Sequence, residues 1–126
     1  MAWNLQSDRP IYAQLVEQLR RMIVTGVYPA GSKLPAVREL AVEAAVNPNT
    51  MQRALVRLEE EGLLYAQRTS GRYVTEDNEK IMEAKEAMAA ELISGFVSDM
   101  MRLGYTREQT IRLLEKKGRD NTWRSI

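Results

Sequence analysis

The chain has 126 residues, a formal net charge of +1 and 44% hydrophobic residues, which suits one compact domain, or a small domain with an appendage, and excludes a large two-domain enzyme. It contains neither cysteine nor histidine, so disulfides, thiol nucleophiles, soft-metal sites and the usual general base are removed, and no catalytic residue, metal or cofactor is expected. Residues 1–75 carry nine Lys or Arg against seven Asp or Glu and residues 76–126 carry nine against ten, so a nucleic-acid reading must rest on where the charges stand.

The first residues contain no apolar run of signal-peptide length, and no later stretch approaches the roughly 20 apolar residues that span a bilayer. A cytoplasmic protein without membrane association is expected. Trp3 and Leu5 precede Ser7-Asp8-Arg9-Pro10, which reads as a helix start capped by Ser7 or Asp8 with proline in the first turn. Tyr12, Leu15, Val16, Leu19, Met22 and Ile23 then hold one face until Gly26, giving a first helix of about sixteen residues. Residues 27–32 are turn-rich, and Lys33-Leu34 forms a short extended piece before Pro35 opens the second helix, whose buried stripe is Val37, Leu40, Ala41 and Ala44.

That helix ends near Ala45, and the link to Asn47 is so short that the second and third helices must cross at a large angle. This is helix-turn-helix spacing, though two short helices with a tight turn also serve structural roles. In the third helix Asn47 is the cap, Pro48 occupies the first position and Gly62 supplies the stop. Met51, Ala54, Leu55 and Leu58 form its apolar face, which leaves Asn49, Arg53 and Val56 outward, flanked by Thr50, Gln52 and Arg57. No acidic residue occurs from Pro48 to Leu58. Amides, a hydroxyl and guanidiniums there can read base edges or grip phosphates, whereas the plain alternative is a solvated helix face.

Leu63 to Gln67 and Arg72 to Thr75 read as two short strands joined by a turn at Arg68-Thr69-Ser70-Gly71. The resulting hairpin carries Arg68 and Arg72 near its tip, which suits a wing along a phosphate backbone or in a minor groove; the alternative is an exposed hairpin solubilised by its arginines.

These segments together resemble the GntR family of bacterial winged-helix regulators over roughly residues 10 to 75. The resemblance is carried by P-I-Y-A-Q-L from Pro10, P-A-G-S-K-L-P-A-V-R-E-L-A from Pro29, V-N-P-N-T-M-Q-R-A-L from Val46, L-E-E-E-G-L-L from Leu58 and G-R-Y-V at the end of the hairpin. It implies an α+β, mostly α fold: a winged helix-turn-helix DNA-binding domain over residues 1–75, followed by a short two-helix dimerisation region like that of YtrA-type members over 76–118. It further implies that Arg38 contacts DNA, that Asn49, Thr50, Gln52 and Arg53 face the groove, and that Gly71 and Arg72 belong to the wing. Thr69 stands where the family's wing usually has glycine.

Beyond Thr75, Ile81, Ala84, Met88, Leu92, Phe96, Met100 and Leu103 recur near helical spacing, so a long helix is expected from Asp77 to Leu103. Ala89, Ile93, Val97 and Met101 add a second apolar row, wider than a lone surface helix needs. A second copy of the chain is the expected cover, with Ile81, Met88, Leu92 and Phe96 as its contact stripe. Gly104 ends this helix, and Thr106-Arg107-Glu108-Gln109 is a capping box that opens another, with Gly118 as its stop. The tail therefore reads as a helical hairpin, and residues 119–126 lack periodicity, with Trp123 a candidate for docking.

The leading functional expectation is a homodimeric repressor that reads an inverted-repeat operator in double-stranded DNA. A winged-helix module for protein–protein contact is the second reading, in which the arginines pair with carboxylates. Catalysis has only the run Glu59-Glu60-Glu61 to stand on, which reads as a solvated helix end. Neither an inducer nor an operator sequence follows from the residues.

Overall fold

A computed structural model describes residues 3–119. Its elements are α1 (Ile11–Val24), α2 (Val37–Ala44), α3 (Pro48–Glu60), β1 (Leu64–Gln67), β2 (Gly71–Val74), α4 (Asn78–Arg102) and α5 (Arg107–Arg119). The chain forms two compact units, one up to Glu86 and one from Ala87 onward.

In the first unit α3 is the central element, packed against both α1 and α2 and leading into β1. Leu15, Leu19, Leu40, Met51, Ala54, Leu55, Leu58 and Val74 are fully enclosed. Every member of the apolar face expected on α3 is therefore core. Ile81 and Ala84, on the first turns of α4, pack partly buried against the same cluster, so the unit extends past residue 75.

α1 begins later than its cap signals suggest. Ser7 and Asp8 lie in a turn, and the helix opens after Pro10, which takes the cap position with φ −55° and ψ 127° and no side-chain cap. Proline disfavours helical backbone at the preceding residue, here Arg9, and this delays the start. The residues before it form an extended arm held by two glutamines one helical turn apart. Gln14 accepts from the Gln6 N–H at 2.7 Å and donates to the Gln6 carbonyl at 2.7 Å, and Gln18 makes the same pair of bonds with Asn4. Trp3 and Leu5, the alternate residues of the arm, pack on the core.

α2 starts at Val37, two positions beyond Pro35. Ala45 then adopts left-handed backbone, φ 56° and ψ 47°, which lets Asn47 turn back and cap α3 by accepting from the Asn49 N–H at 2.7 Å. At the other end of α3, Gly62 (φ 80°) lets the Leu63 N–H reach the Leu58 carbonyl at 3.0 Å, closing the helix as expected.

β1 and β2 pair antiparallel, with Leu64 opposite Val74 and Gln67 opposite Gly71, so the wing turn is Arg68, Thr69 and Ser70. The extended piece at Lys33-Leu34 lies along the far side of β2: Gly31 and Leu34 donate to Val74 and Arg72, and Val74 donates back to Ser32. Tyr65 and Tyr73 face each other across the hairpin with ring centroids 5.7 Å apart.

In the second unit Gly104 (φ 94°) ends α4, and Thr106 and Gln109 form the expected capping box, each backbone N–H bonded to the other's side chain at 2.9 and 3.1 Å. α5 continues through Gly118 to Arg119. A glycine tolerates helical backbone as well as left-handed backbone, so Gly118 does not act as the stop. Nor do α4 and α5 zip into a closed hairpin: their apolar side chains line an open groove of about 860 Å³. Residues 120–126, Trp123 included, lie outside the described residues.

Candidate nucleic-acid interface

The outer surface of α3 follows directly from its buried one. With Met51, Ala54, Leu55 and Leu58 enclosed, Asn49, Gln52, Arg53, Val56 and Arg57 are exposed and Thr50 is half-buried beside them. The Asn47 cap and Pro48 leave the first turn of α3 open to an incoming group, with no acidic side chain on it. Arg38 is exposed in the first turn of α2, and Arg68 is exposed on the wing turn. Neither makes an ion pair among the described residues.

The other arginines of the region are engaged. The Arg53 guanidinium lies 4.7 Å from the ring centre of Tyr12 on α1, a cation–π contact that aims the side chain without neutralising it. Arg57 donates to Glu61 at 3.1 Å, and Arg20 of α1 grips the same carboxylate through two bonds of 3.0 and 2.7 Å. Burial acts to raise the Glu61 carboxyl, but Arg20 and then Arg57 outweigh it and hold it below the usual carboxylate value. This cluster ties α1 to the end of α3.

Arg72 is drawn away from the wing tip. Its Nε donates to Glu59 at 2.6 Å and its Nη1 to the Gln52 side-chain oxygen at 3.2 Å, and only 17% of its side chain is exposed. Strand β2 of the wing is thereby latched onto α3. A hollow of about 500 Å³ between residues 33–37 with Glu39 and residues 70–72 adjoins this latch, so the start of α2 and the wing converge. Gly71, at φ 114°, opens β2 directly after the wing turn, where an added Cβ would come 3.2 Å from the Lys33 side chain.

Three contributors were not visible as site residues in the sequence. Tyr12 falls in the apolar row of α1, Glu59 reads as part of a solvated acidic end, and Lys33 belongs to a connector. Only the hairpin register and the α1 to α3 packing bring them to the interface.

Of the residues expected at a dimer contact, Ile81 and Met88 are half-buried, with Ile81 against the first unit's core, whereas Leu92 and Phe96 are exposed in the second unit. Ile93, Val97 and Met101 are exposed there as well.

Two helices joined by a tight turn, the second presenting an exposed polar face free of carboxylates over its first three turns, and a hairpin latched beside that face define a winged helix-turn-helix. The family described as "Bacterial regulatory proteins, gntR family" matches residues 11–74. YhcF of Bacillus subtilis, an HTH-type transcriptional regulator, is 38% identical over 86% of this chain and 89% of its own length, and the B. subtilis repressor YtrA is 34% identical over 82% and 81%. A GntR family regulator from Listeria monocytogenes superimposes with a TM-score of 0.83 at 42% identity, covering 89% of this chain and 98% of that one. The DNA-binding domain of AraR, solved with operator ORE1, superimposes with a TM-score of 0.51 at 30% identity over 60% and 94%. The chain belongs to the GntR family and fits its YtrA-like subfamily.

Proposed function

We propose that the protein is a homodimeric, cytoplasmic repressor that occupies an inverted-repeat operator. In this reading Asn49, Thr50, Gln52 and Arg53 face the major groove, Arg38, Arg57 and Arg68 meet phosphates, and Gly71 and Arg72 shape the wing. The observation that carries it is the α3 face: a full apolar side is spent on the core, and the opposite side leaves amides and a guanidinium uncovered. The AraR domain bound to operator DNA and the naming of YtrA as a repressor support it.

Dimerisation is supported by the second unit. The groove between α4 and α5 is walled by Leu92, Phe96, Val97, Met101, Ile111 and Leu114, and a patch of that kind on a soluble protein marks an interaction surface. A second copy is the occupant proposed. Footprinting the protein on the DNA upstream of its own coding region tests the reading. Protection of a two-fold symmetric sequence is expected, and protection of one asymmetric half-site, or of no sequence, would overturn it.

A further inference from the structure

The orientation of the Gln52 amide is settled by its neighbour. A guanidinium can only donate hydrogen bonds, so the Gln52 atom facing Arg72 at 3.2 Å is the oxygen, and the amide nitrogen is turned away. Arg72 in turn cannot swing freely, because Glu59 holds its Nε at 2.6 Å and Glu59 itself rises from α3 two turns beyond Gln52. Gln52 is exposed, so its free edge is the NH₂ group.

An unconstrained glutamine pairs with adenine by giving a hydrogen bond to N7 and taking one from the N6 amino group, whereas guanine offers two acceptors, N7 and O6. In Gln52 the oxygen already accepts from Arg72. A second lone pair remains, but an adenine amino group reaching it would bring its hydrogens beside those of the guanidinium. Guanine's acceptors meet no such opposition and are met by the NH₂ hydrogens.

We propose that Arg72 is a specificity-determining residue acting through Gln52: by engaging the amide oxygen it makes Gln52 a hydrogen-bond donor, selecting guanine over adenine at the operator position that Gln52 meets. This rests on the assignment of α3 as the reading helix. It makes the wing arginine a positioning residue, and Glu59 the anchor that holds it in place.

The test starts from duplexes selected by the full-length protein out of a library randomised over one operator span. Affinities are then measured for duplexes carrying each of the four base pairs at every position, with the parent, Gln52→Ala, Arg72→Met, Arg72→Lys and Glu59→Ala. The position whose preference flattens in Gln52→Ala is the one Gln52 reads. The parent is expected to favour guanine over adenine there by roughly tenfold. Arg72→Met and Glu59→Ala should shrink that ratio several-fold by releasing the amide, while Arg72→Lys, whose ammonium also only donates, should keep most of it. Glu59→Ala leaves the wing sequence intact and serves should Arg72→Met fail to fold. Adenine preferred at the Gln52 position, or a guanine preference unchanged in both Arg72→Met and Glu59→Ala, overturns the inference while leaving the reading helix in place. If Gln52→Ala flattens no position, the reading face and the inference fall together.

Discussion

Arg53 leaves the outer side of α3 and lies over Tyr12, 4.7 Å from its ring centre, so one face of the guanidinium is supported by α1. Neither Arg53 nor Asn49 contributes to the core. Arg53→Ala and Asn49→Ala are each expected to weaken operator binding by roughly 1 to 3 kcal/mol with unfolding unchanged, and Tyr12→Leu by a smaller amount, about 0.5 to 1 kcal/mol. Titration against operator and random duplex checks this, and undiminished operator affinity in both alanine variants would remove α3 as the reader. Ala45 offers a second test at this scale. It holds left-handed backbone at φ 56° without being glycine, which costs about 1 to 2 kcal/mol. Glycine relieves that strain but adds about 0.4 to 1 kcal/mol of unfolded-chain entropy. Ala45→Gly should therefore raise stability by up to about 1.6 kcal/mol in a denaturant melt, and a loss would mean that the turn is not strained. The caps and stop of α3 could be read from the sequence because each signal lies within a turn of the helix end it governs. Tyr12 against Arg53 could not, since the partners are far apart in the chain and meet only once α1 lies on α3.

Between elements, charge pairs do the joining, and their consequences differ. Glu61 ties α3 to α1 through Arg20 and also holds Arg57. Despite burial, these partners keep its carboxyl below the ordinary value. A carboxylate held low in the folded chain stabilises it above the unfolded pKa, and the gain is lost as pH falls through the lowered folded value. Glu61→Gln is expected to cost about 1 to 2 kcal/mol at neutral pH. Its deficit should close as pH drops below the usual carboxylate range, and a deficit independent of pH would assign the loss to packing. For DNA binding, an unpaired cation and a paired one should separate by salt. Arg38→Ala should flatten the plot of log affinity against log salt by about one unit, whereas Arg72→Ala should flatten it less, because Glu59 already balances that charge. Equal changes would mean that DNA displaces Glu59 from Arg72. The strands and the turn between them were legible from residue types. The latch was not, because Arg72 and Glu59 stand thirteen residues apart and nothing local pairs a wing arginine with what reads as a solvated acidic helix end. The glutamine-held arm was not legible for a similar reason: nothing local pairs Gln14 with Gln6 or Gln18 with Asn4 until the arm lies across α1.

For the whole molecule the decisive feature is how the apolar stripe of α4 divides. Its early members, Ile81 and Ala84, complete the first unit's core, while Leu92, Ile93 and Met101 stand more than half exposed in the second. Helical periodicity reported one continuous stripe, because spacing alone does not say which neighbour covers each turn. The division sets where the chain can be cut. Truncation after Asp77 removes Ile81 and should destabilise the winged helix, since burying such a side chain is worth about 1.5 to 3 kcal/mol when complete and less when partial. Truncation after Glu86 keeps the first unit whole and should yield a folded monomer. In the full chain, Leu92→Asp places a charge in the open groove and should have the same effect on assembly. A symmetric dimer would set its two reading helices about 34 to 36 Å apart, one DNA turn, so the second half-site is engaged at high effective concentration. Both variants should thus bind an isolated half-site as the parent does and a full operator far more weakly. Sedimentation analysis joined to binding on half and full sites checks both effects. Leu92→Asp and the Glu86 truncation both remaining dimeric would remove the second unit as the interface and direct the search to α1 and the arm at Trp3.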